Sequence, residues 1–526
     1  MGIFDILPLP ALYAFSAVIT LGLFVLSYQT ILHPLRNYPG PLVARFSDAY
    51  GGYHALKKRL HLATYQDHLK YGPVVRQAPN RLVFNTANAL HDIYLNTGIN
   101  KANIYKLTQF NPHKNIFGTL DRERHRQKRK IYGQVLSDRS LRIFDPIMSN
   151  EIDVFLRLLL KTNGGTVNMT PLCERLTTDV AGQMAFGQPL NTLTEATNRI
   201  FPRAMVSMNG LVNIFMAWPA FSMIWPILRR LNQKNAEAFT GALRRIIQGR
   251  MALPKDAKHD FYSIAASDVN PEYERLRQSE LWAEASFILP AGATTLSAAL
   301  SALFFYLSRH PAVYARLATE IRTTFADEVI QNGPLLSGCK YLRAVIDETM
   351  RISPPFVGTF WREPHSSYTE PFVVDGHVIP RGVAVGVNPY CVMHNELYYP
   401  EPFEFRPERW LGPEAGATGN PEEEQARATV RGAFTPFALG DTACLGKGLA
   451  YNEISLVIAK TLWYFDFEKA PGEAGKLGEG EPGRTDGRGR VSEYQLFDHA
   501  VADHDGPNLV FKPRGEYWKA LIDDQA

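Results

Sequence analysis

Apolar positions with helical spacing dominate the middle of the chain, and strand-like alternation is concentrated in two short segments. Patterns such as Ser149–Leu160 and the long apolar Leu281–Arg309 predict helices through most of residues 140–350. Alternating positions over Val74–Asn85 and the turn residues within Phe372–Val387 predict strands. We therefore expect a mainly α fold of the α+β class.

The N-terminal segment is apolar and carries no charge from Ile6 to Leu35. Within it, Ala11–Leu32 is long enough to cross a hydrocarbon core of about 30 Å, which favours a membrane span over a buried core helix. Basic residues crowd the C-terminal side of this segment, whereas Asp5 precedes it. The positive-inside rule then predicts a single-pass anchor over residues 1–32 with the body in the cytosol.

Proline and glycine mark the segments that connect or interrupt the body. Residues 33–41 read HPLRNYPGP, which predicts a stiff, extended hinge between the anchor and a domain over 42–526. Two stretches, Gly412–Arg431 and Pro471–Arg490, are rich in glycine or charge and poor in apolar residues. We expect both to be flexible surface loops.

Composition narrows the class of protein. Of the 526 residues, 45% are hydrophobic and 21% are charged, which describes a packed globular chain. The net charge of +4 gives no chain-wide argument for nucleic-acid binding, and the chain has no GxxxxGK[ST] loop and no GxGxxG in a strand-turn-helix pattern. The cysteines are widely spaced and form no CxxC pair, which favours a reducing compartment over a disulfide or zinc framework: Cys173, Cys339, Cys391 and Cys444.

The most informative segment is the cysteine loop, residues 436–447, which reads PFALGDTACLGK. Cys444 directly precedes a predicted helix, whose N-terminal N–H groups stabilise a thiolate and tune a metal-bound sulfur. Gly440 and Gly446 allow the backbone to approach a flat ligand closely. The alternative is a buried structural cysteine, which is the commoner role of a lone cysteine.

This loop resembles the haem-binding segment of cytochromes P450, whose pattern is Phe-x-x-Gly-x-Arg-x-Cys-x-Gly. Phe437, Gly440, Cys444 and Gly446 match it, and Thr442 replaces the arginine that pairs with a haem propionate. The resemblance implies a cytochrome P450 fold with haem b (iron protoporphyrin IX) as cofactor. It further implies that Cys444 is the thiolate ligand of the haem iron, and a strongly donating thiolate favours O–O cleavage.

Other segments match the family in order along the chain. The resemblance implies that Glu348, Arg351 and Arg409 form a structural ion network without a redox role. It also implies that His125, Arg129 and Arg362 bind the haem propionates. The residues alone leave the basic run 122–130 open to three interpretations, namely a solvated helix face, a nucleic-acid patch or a site for anionic cofactor groups.

Residues 291–295, AGATT, resemble the oxygen-activation segment of the family. This resemblance implies that the Thr295 hydroxyl helps to deliver protons to oxygen at the haem. Thr294 occupies the place usually filled by Asp or Glu, so proton delivery would run through water and hydroxyls. The alternative is that both threonines only donate to carbonyls four residues earlier in an ordinary helix.

The resemblance implies a haem-thiolate monooxygenase of the endoplasmic reticulum membrane. Its electrons would come from NADPH through a separate NADPH–cytochrome P450 reductase, with cytochrome b5 as a second donor. Residues 200–226, rich in Met, Phe and Trp, predict core or a pliable lid facing lipid, which fits a lipophilic small-molecule substrate. The segments HPLRNYPGP and CLGKGLAYNEI resemble those of microsomal enzymes of filamentous fungi. Such enzymes mostly oxidise secondary metabolites such as polyketides, terpenoids and alkaloids.

Two other functions remain open from the sequence. A haem-thiolate isomerase or dehydratase would use the same fold without external oxygen, and Thr294 and Thr442 give it some basis. A membrane-anchored binding protein would keep the fold without turnover, although it would not need Cys444. Nucleic-acid binding is the weakest interpretation, because the chain shows no supporting fold signal.

Overall fold

The computed structural model describes residues 9–109, 113–265, 278–326, 329–412 and 421–523. Helices account for most of this part of the chain, as the sequence predicts. The α-helices are α1 Leu9–Ser27, α2 Leu42–Phe46, α3 Ala49–Leu56, α4 Leu60–Tyr71, α5 Ala87–Tyr94, α6 Arg122–Val135, α7 Asp138–Leu160, α8 Met169–Phe186, α9 Ile200–Ala217, α10 Trp225–Leu231, α11 Gln233–Met251, α12 Phe261–Ala265, α13 Gln278–Arg309, α14 Pro311–Thr324, α15 Pro334–Gly338, α16 Lys340–Ile352, α17 Pro389–Met393, α18 Pro421–Ala433, α19 Lys447–Tyr464 and α20 Ala520–Asp523.

The strands form small sheets beside the helices. They are β1 Val74–Ala78, β2 Arg81–Phe84, β3 Ile99–Lys101, β4 Thr166–Asn168, β5 Arg362–Pro364, β6 Phe372–Val374, β7 His377–Ile379, β8 Ala384–Val387, β9 Phe465–Lys469, β10 Phe497–His499, β11 Val501–Asp503 and β12 Asn508–Pro513. The largest sheet has the order β1-β2-β8-β5-β3, and a three-stranded sheet has the order β4-β12-β9. The two segments predicted to contain strands, Val74–Asn85 from alternation and Phe372–Val387 from its turn residues, are thereby confirmed.

Helix α13 runs through the largest apolar core and organises the helical half of the fold. Its side chains Leu300, Phe304 and Tyr306 are completely buried. Helix α8 packs along it, and the Thr177 hydroxyl donates to the Ala293 carbonyl at 2.9 Å. This bond fixes the register between the two helices near the middle of α13.

The N-terminal helix is the candidate membrane span that the sequence predicts. Helix α1 continues into a π-helical turn, Tyr28–Leu32, and none of the Tyr13–Leu32 window is buried against the body. Two other helices have the length and composition of a span, Ile200–Ala217 and Trp282–Arg309. These two are 44% and 72% buried, so they pack in the body of the protein.

The hinge after the anchor is folded back on the body, which differs from the extended connector expected from its prolines. Its backbone turns, with the Arg36 N–H donating to the His33 carbonyl at 3.0 Å, and Leu35 is completely buried. The Arg76 guanidinium contacts this turn, with Nη2 3.1 Å from His33 Nδ1 and Nη1 donating to the Leu35 carbonyl at 3.5 Å. The prolines therefore stiffen a docked turn.

The prediction that two segments, Gly412–Arg431 and Pro471–Arg490, are flexible surface loops is wrong in part. Residues 421–433 form helix α18, while residues 413–420 lie outside the described part of the chain. Pro471–Arg490 is ordered by its own polar groups: the Glu481 N–H donates to the Arg488 carbonyl at 2.9 Å, and Arg488 itself is buried. Composition predicted little apolar burial there, but backbone pairing and buried charge order the segment without it.

The predicted ion network is present and buried. Arg351 makes two bonds of 2.9 Å to the Glu348 carboxylate, and both side chains are completely buried. Arg409 Nε lies 3.2 Å from Glu348 Oε1, and Trp410 Nε1 donates to Oε2 at 3.0 Å. Burial alone would raise the pKa of Glu348, but the two arginines hold it below its ordinary value.

Removing one partner from this network should destabilise the fold strongly. Arg351→Ala leaves the Glu348 carboxylate buried beside fewer donors, so we expect a loss of about 3–5 kcal/mol of unfolding free energy. Thermal unfolding followed by circular dichroism measures it. Lys512→Ala is the matched control, because Lys512 pairs with Glu468 where the two side chains are 65% and 62% exposed. Equal effects of the two substitutions would contradict a structural role for the network.

Candidate active site

Cys444 lies between a 3₁₀ turn, Gly440–Thr442, and the N-terminus of α19. Its backbone N–H donates to the Phe437 carbonyl at 2.8 Å, which closes the loop. The thiol is exposed to an internal cavity and is otherwise enclosed by protein. Burial raises the pKa of this thiol, while the Gly446 N–H and the Arg129 guanidinium act in the opposite direction.

The glycines of the loop have separate roles. Gly440 has φ +66°, and a Cβ there would lie 1.9 Å from the Tyr94 carbonyl oxygen. The close approach at Gly440 is therefore to the backbone at the end of α5, not to a flat ligand as expected. Gly446 and Phe437 line the cavity beside the thiol.

The cavity has a volume of about 2350 Å³, more than twice the upper range of ordinary ligand pockets. It lies between the cysteine loop and the middle of α13. The predicted residues that line it are His125, Arg129, Thr295, Arg362, Phe437, Cys444 and Gly446. A cavity of this size accommodates a flat cofactor together with a second molecule.

One wall of the cavity carries arginine side chains whose hydrogen-bond acceptors are uncharged oxygen atoms. Arg129 Nη1 donates to the Ala443 carbonyl at 2.8 Å. Arg362 Nη2 donates to Thr442 Oγ1 at 2.6 Å and Nη1 to the Tyr105 hydroxyl at 3.3 Å. Thr442 thus positions Arg362, and the wall remains strongly cationic without an arginine at 442.

His125 faces the same wall and is neutral. Burial, together with the nearby cations Lys101, Arg129 and Arg362, lowers the pKa of His125 to about 3. A neutral imidazole still donates one hydrogen bond through its protonated nitrogen. We therefore expect His125 to contribute a hydrogen bond, and the arginines to contribute the charge.

Lys101 is a basic residue of this wall that sequence reasoning missed, and burial, together with the nearby Arg362, lowers its pKa well below the ordinary value. Its Nζ donates to the carbonyls of Ile116 at 2.7 Å, Phe117 at 2.8 Å and Thr119 at 3.2 Å. Lys101 is aligned with Arg362 because β3 pairs antiparallel with β5. Only this long-range strand pairing brings the two together, so no local motif could have identified Lys101.

The basic run on α6 divides between three environments. His125 and Arg129 face the cavity. Lys128 is buried, and its Nζ lies 2.5 Å from Glu284 Oε1 on α13. Arg126 is 62% exposed and pairs with Glu123. The run therefore combines a cofactor-facing edge, an internal ion pair and a solvated face.

The threonines of α13 face different ways. Thr295 lines the large cavity, and its hydroxyl donates to the Ala291 carbonyl at 2.7 Å. Thr294 is buried on the opposite side and donates to the Pro290 carbonyl at 2.7 Å. Both hydroxyls thus make the i−4 bonds that the alternative interpretation requires. Pro290 lacks an N–H, so it removes one bond from the helix ladder just before this segment.

The residues fit a haem. A thiol faces one end of the cavity, apolar side chains such as Leu296 and Phe287 line its interior, and the cations contact neutral partners along one wall. Burying several cations without counter-charges is costly, and two carboxylates bound at this wall would offset that cost. These protein groups are the ones that would contact a haem with a cysteine ligand and two ion-paired propionates.

Comparisons with known proteins agree with this geometry. The cytochrome P450 family model matches residues 49–483. The chain is 32% identical to cytochrome P450 monooxygenase atnE of Emericella nidulans, over 96% of this chain and 97% of that protein. It is also 32% identical to the monooxygenases poxM of Penicillium oxalicum, over 95% and 93%, and apf7 of Gibberella fujikuroi, over 96% and 97%.

Removing Arg129 should weaken retention of the cofactor. Charge-assisted hydrogen bonds contribute about 1.5–3 kcal/mol, so Arg129→Leu should release haem roughly 10- to 100-fold faster. Transfer of haem to an excess of apomyoglobin measures the rate. Arg126→Leu, on the exposed face of the same helix, is the control and should leave the rate unchanged. If both variants lost haem at the wild-type rate, Arg129 would have no part in binding it.

Proposed function

The chain belongs to the cytochrome P450 family and is a haem-thiolate monooxygenase, and on that premise we propose that it oxidises a lipophilic small molecule in fungal secondary metabolism. The observation that carries the proposal is the Cys444 thiol, which faces a cavity of about 2350 Å³. The named relatives come from filamentous fungi, and their printed names say monooxygenase. We propose that the substrate is a polyketide, a terpenoid or an alkaloid.

Cys444 would hold the haem through its sulfur, while Arg129 and Arg362 would hold the propionates by charge and His125 by a hydrogen bond. When bound, haem supplies the activation of dioxygen for insertion of one oxygen atom into the substrate. The protein contributes the thiolate, the positive charge of the wall and a cavity that holds the cofactor and the substrate. Glu348 and its arginines keep the cysteine loop in place and take no part in the chemistry.

Thr295 is the residue we propose to move protons at this site. Its Oγ1 lies at the cavity surface, within 2.7 Å of the Ala291 carbonyl. A hydroxyl held in this way keeps free lone pairs toward the cavity and accepts a hydrogen bond while it donates another. Thr295 would therefore orient a water molecule in the cavity by accepting its hydrogen bond, and it would pass on a proton when its hydroxyl turns from the Ala291 carbonyl toward that water.

Electrons would arrive from NADPH through a separate reductase, with cytochrome b5 as a second donor. The exposed basic residues of α6 support docking of an acidic partner, because charge complementarity steers such encounters. Arg126 is 62% exposed, and Arg122 is 33% exposed beside Asp441 of the cysteine loop. Because Arg122 pairs with Asp441 of the cysteine loop, a partner docked on this face would lie close to Cys444. Electrons would then have only a short distance to travel.

The apolar surface supports a membrane location and a lipophilic substrate. Met223, Ile227 and Leu231 are 82%, 62% and 80% exposed on the segment after α9, which also lines the cavity. Leu42 and Val43, just after the hinge, are exposed as well. We propose that this surface rests on the endoplasmic reticulum membrane, with residues 1–32 as anchor, 33–41 as hinge and 42–526 as cytosolic catalytic domain.

Neither alternative function is favoured by the comparisons. An isomerase or dehydratase would work without reductase, whereas the relatives named above are all monooxygenases. A binding protein without turnover would have no use for a cysteine that faces the cavity. Dependence of product formation on NADPH, reductase and dioxygen separates the three functions.

The carbon monoxide difference spectrum of the reduced, membrane-bound protein tests the ligand. We expect the long-wavelength band of thiolate-ligated haem in the wild type and its loss in Cys444→Ala, because no other thiol faces the site. Cys339→Ala, a buried cysteine outside the cavity, is the matched control and should keep the band. The spectrum is recorded after chemical reduction with dithionite, and NADPH together with the reductase should reduce the haem equally well. A surviving band in Cys444→Ala would refute the assignment.

Replacing Thr295 should uncouple electron use from oxygen insertion. Thr295→Ala removes the hydroxyl at the cavity surface, so we expect several-fold more peroxide per NADPH consumed. Thr295→Ser keeps the hydroxyl and should restore most of the wild-type ratio. Peroxide and NADPH are measured together in reductase-supplemented membranes. Equal ratios in the alanine and serine variants would show that the hydroxyl serves only its bond to Ala291.

A further inference from the structure

The large cavity is lined by more basic side chains than its cationic wall of Lys101, Arg129 and Arg362 contains. Among the residues that the structure describes, eight lysines and arginines line the cavity, so five arginines lie outside this wall. The described carboxyl groups of the lining are two, Glu237 and Glu453. Burial raises the pKa of Glu453 to about 8, so this group is mostly uncharged at pH 7. The two glutamates therefore do not balance the five arginines.

Three of the five arginines lie close together and form what we call the arginine cluster: Arg175 of α8, Arg199 directly before α9, and Arg203 on the first turn of α9. Burial lowers the pKa of Arg175, and the charges of Arg199 and Arg203 lower it further. Glu174 and Asp179 oppose this shift, but burial raises the pKa of Glu174 itself to about 7, so it is only partly ionised at pH 7. The three guanidinium groups thus repel one another across a short distance.

The hydrogen bonds of the cluster go to uncharged oxygen atoms. Among the described residues, no carboxylate forms an ion pair with any of the three arginines. Arg199 donates to the carbonyls of Thr192 at 2.9 Å and Leu193 at 3.0 Å. The Asp179 carboxylate accepts from the N–H groups of the same two residues, at 2.8 and 3.0 Å. The cluster therefore retains the capacity to bind an anion.

Helix α9 runs from this cluster to the cationic wall. Arg203 lies near its N-terminus, whereas Val212 packs against the apolar group that contains Tyr105. Tyr105 accepts a hydrogen bond from Arg362 of the wall at 3.3 Å. Arg203 and Val212 are nine positions apart, which is about 13 Å along a helix axis. The cluster is therefore a cationic site separate from the wall that we assign to the propionates.

Apolar side chains line the cavity along α9 between these two cationic sites. They include Met205, Met208 and Leu211 of α9, and Phe287 and Leu296 of α13 line the same cavity. A molecule that fills this space meets positive charge at one end of α9 and apolar surface along the rest. A wholly apolar molecule would leave the arginines without a charged partner, whereas an ionised acid would supply one.

We propose that the arginine cluster binds a carboxylate of the substrate, so that the substrate is a lipophilic carboxylic acid, such as a polyketide or terpenoid acid. The proposal rests on the proposed monooxygenase function, because it concerns the substrate of the same cavity. Arginine binds a carboxylate through two parallel hydrogen bonds, which fix its orientation. The apolar body of the acid would extend along α9 toward the cationic wall, and the oxidised carbon would lie far from the carboxylate.

The test compares the binding of acids and their methyl esters to the full-length, haem-loaded protein in phosphatidylcholine bilayers. The probes are dodecanoic acid and abietic acid, each with its methyl ester, at about pH 7, where the acids are ionised. Binding is followed by the change in haem absorbance on ligand entry, without turnover. We define the acid preference as the Kd of the ester divided by the Kd of the acid. Because the two probes also partition into the bilayer, this ratio is compared between variants in the same bilayer.

Removing one arginine should reduce the acid preference without changing the affinity for the ester. For at least one of the two acids, we expect Arg203→Gln to lower the preference roughly 10-fold, and Arg203→Gln combined with Arg175→Gln to lower it roughly 100-fold. Arg203 is exposed, so its replacement should leave the fold intact. Arg244→Gln is the matched control, because Arg244 is exposed on α11 outside the cavity lining, and it should keep the wild-type preference.

The proposal is overturned if wild type and both arginine variants show the same preference for each acid, or if the wild type binds none of the probes. If Arg203→Gln fails to retain haem, Arg175→Gln alone takes its place and should lower the preference by a similar factor. An unchanged preference in that variant would have the same meaning.

The headgroup of an anionic lipid is another source of negative charge for the cluster. The titrations are therefore repeated in bilayers that also contain phosphatidylserine, at constant ionic strength. We expect the difference in acid preference between wild type and Arg203→Gln to persist there. If phosphatidylserine abolishes this difference, the cluster binds lipid headgroups and the proposal is wrong.

Failure of this site and failure of the proposed function give different results. A wild type without the thiolate carbonyl band, or one that consumes no NADPH with reductase, would refute the function whatever the acids do. A wild type that has the band and consumes NADPH, but has the same acid preference as Arg203→Gln, would refute only the role of the cluster.

Discussion

The buried Glu348 carboxylate is the constraint on which the cysteine loop depends. It accepts hydrogen bonds from two arginines and from Trp410, so it ties α16 to the segment that follows α17. Trp410 packs against Phe434 with ring centroids 4.5 Å apart. Phe434 leads into the loop, where the Phe437 carbonyl accepts the Cys444 N–H. An ionised group far from solvent therefore fixes the direction in which the thiol points, because its charge is satisfied in only one arrangement of these segments.

The cationic wall of the cavity carries more positive charge than its uncharged hydrogen-bond acceptors can neutralise. Arg129, Arg362 and Lys101 are held by carbonyl and hydroxyl oxygens, and burial together with these residues lowers the pKa of His125 to about 3. Neutral oxygens orient cations but do not cancel their charge, so the wall gains most from a ligand that brings negative charge. A ligand that binds only the folded chain also stabilises it. Cofactor binding and folding are coupled at this wall, whereas the Glu348 network is complete on its own.

Local sequence patterns predicted the parts of the site that lie within one element. The cysteine loop, the i, i+3 spacing of Glu348 and Arg351, and the threonine segment of α13 are each read from a few neighbouring residues. Lys101 was missed because it reaches Arg362 only through the pairing of β3 with β5. Pro471–Arg490 was misjudged for a related reason. Composition reports how much apolar surface a segment has, but not which distant backbone groups and charges will pair with it.

The adjacent threonines of α13 show how a motif read as one unit divides in three dimensions. Neighbouring residues on a helix point about 100° apart, so Thr295 faces the large cavity and Thr294 lines a separate small cavity between α13, α8 and β11. Glu174 and Asp503 line this small cavity with Thr294, and burial together with the charges of Asp503 and Asp505 raises the pKa of Glu174 to about 7. A further carboxylate at 294 would be buried beside them, and like charges so close raise each other's pKa. Threonine at 294 accepts the hydrogen bond from Asn209 without adding charge.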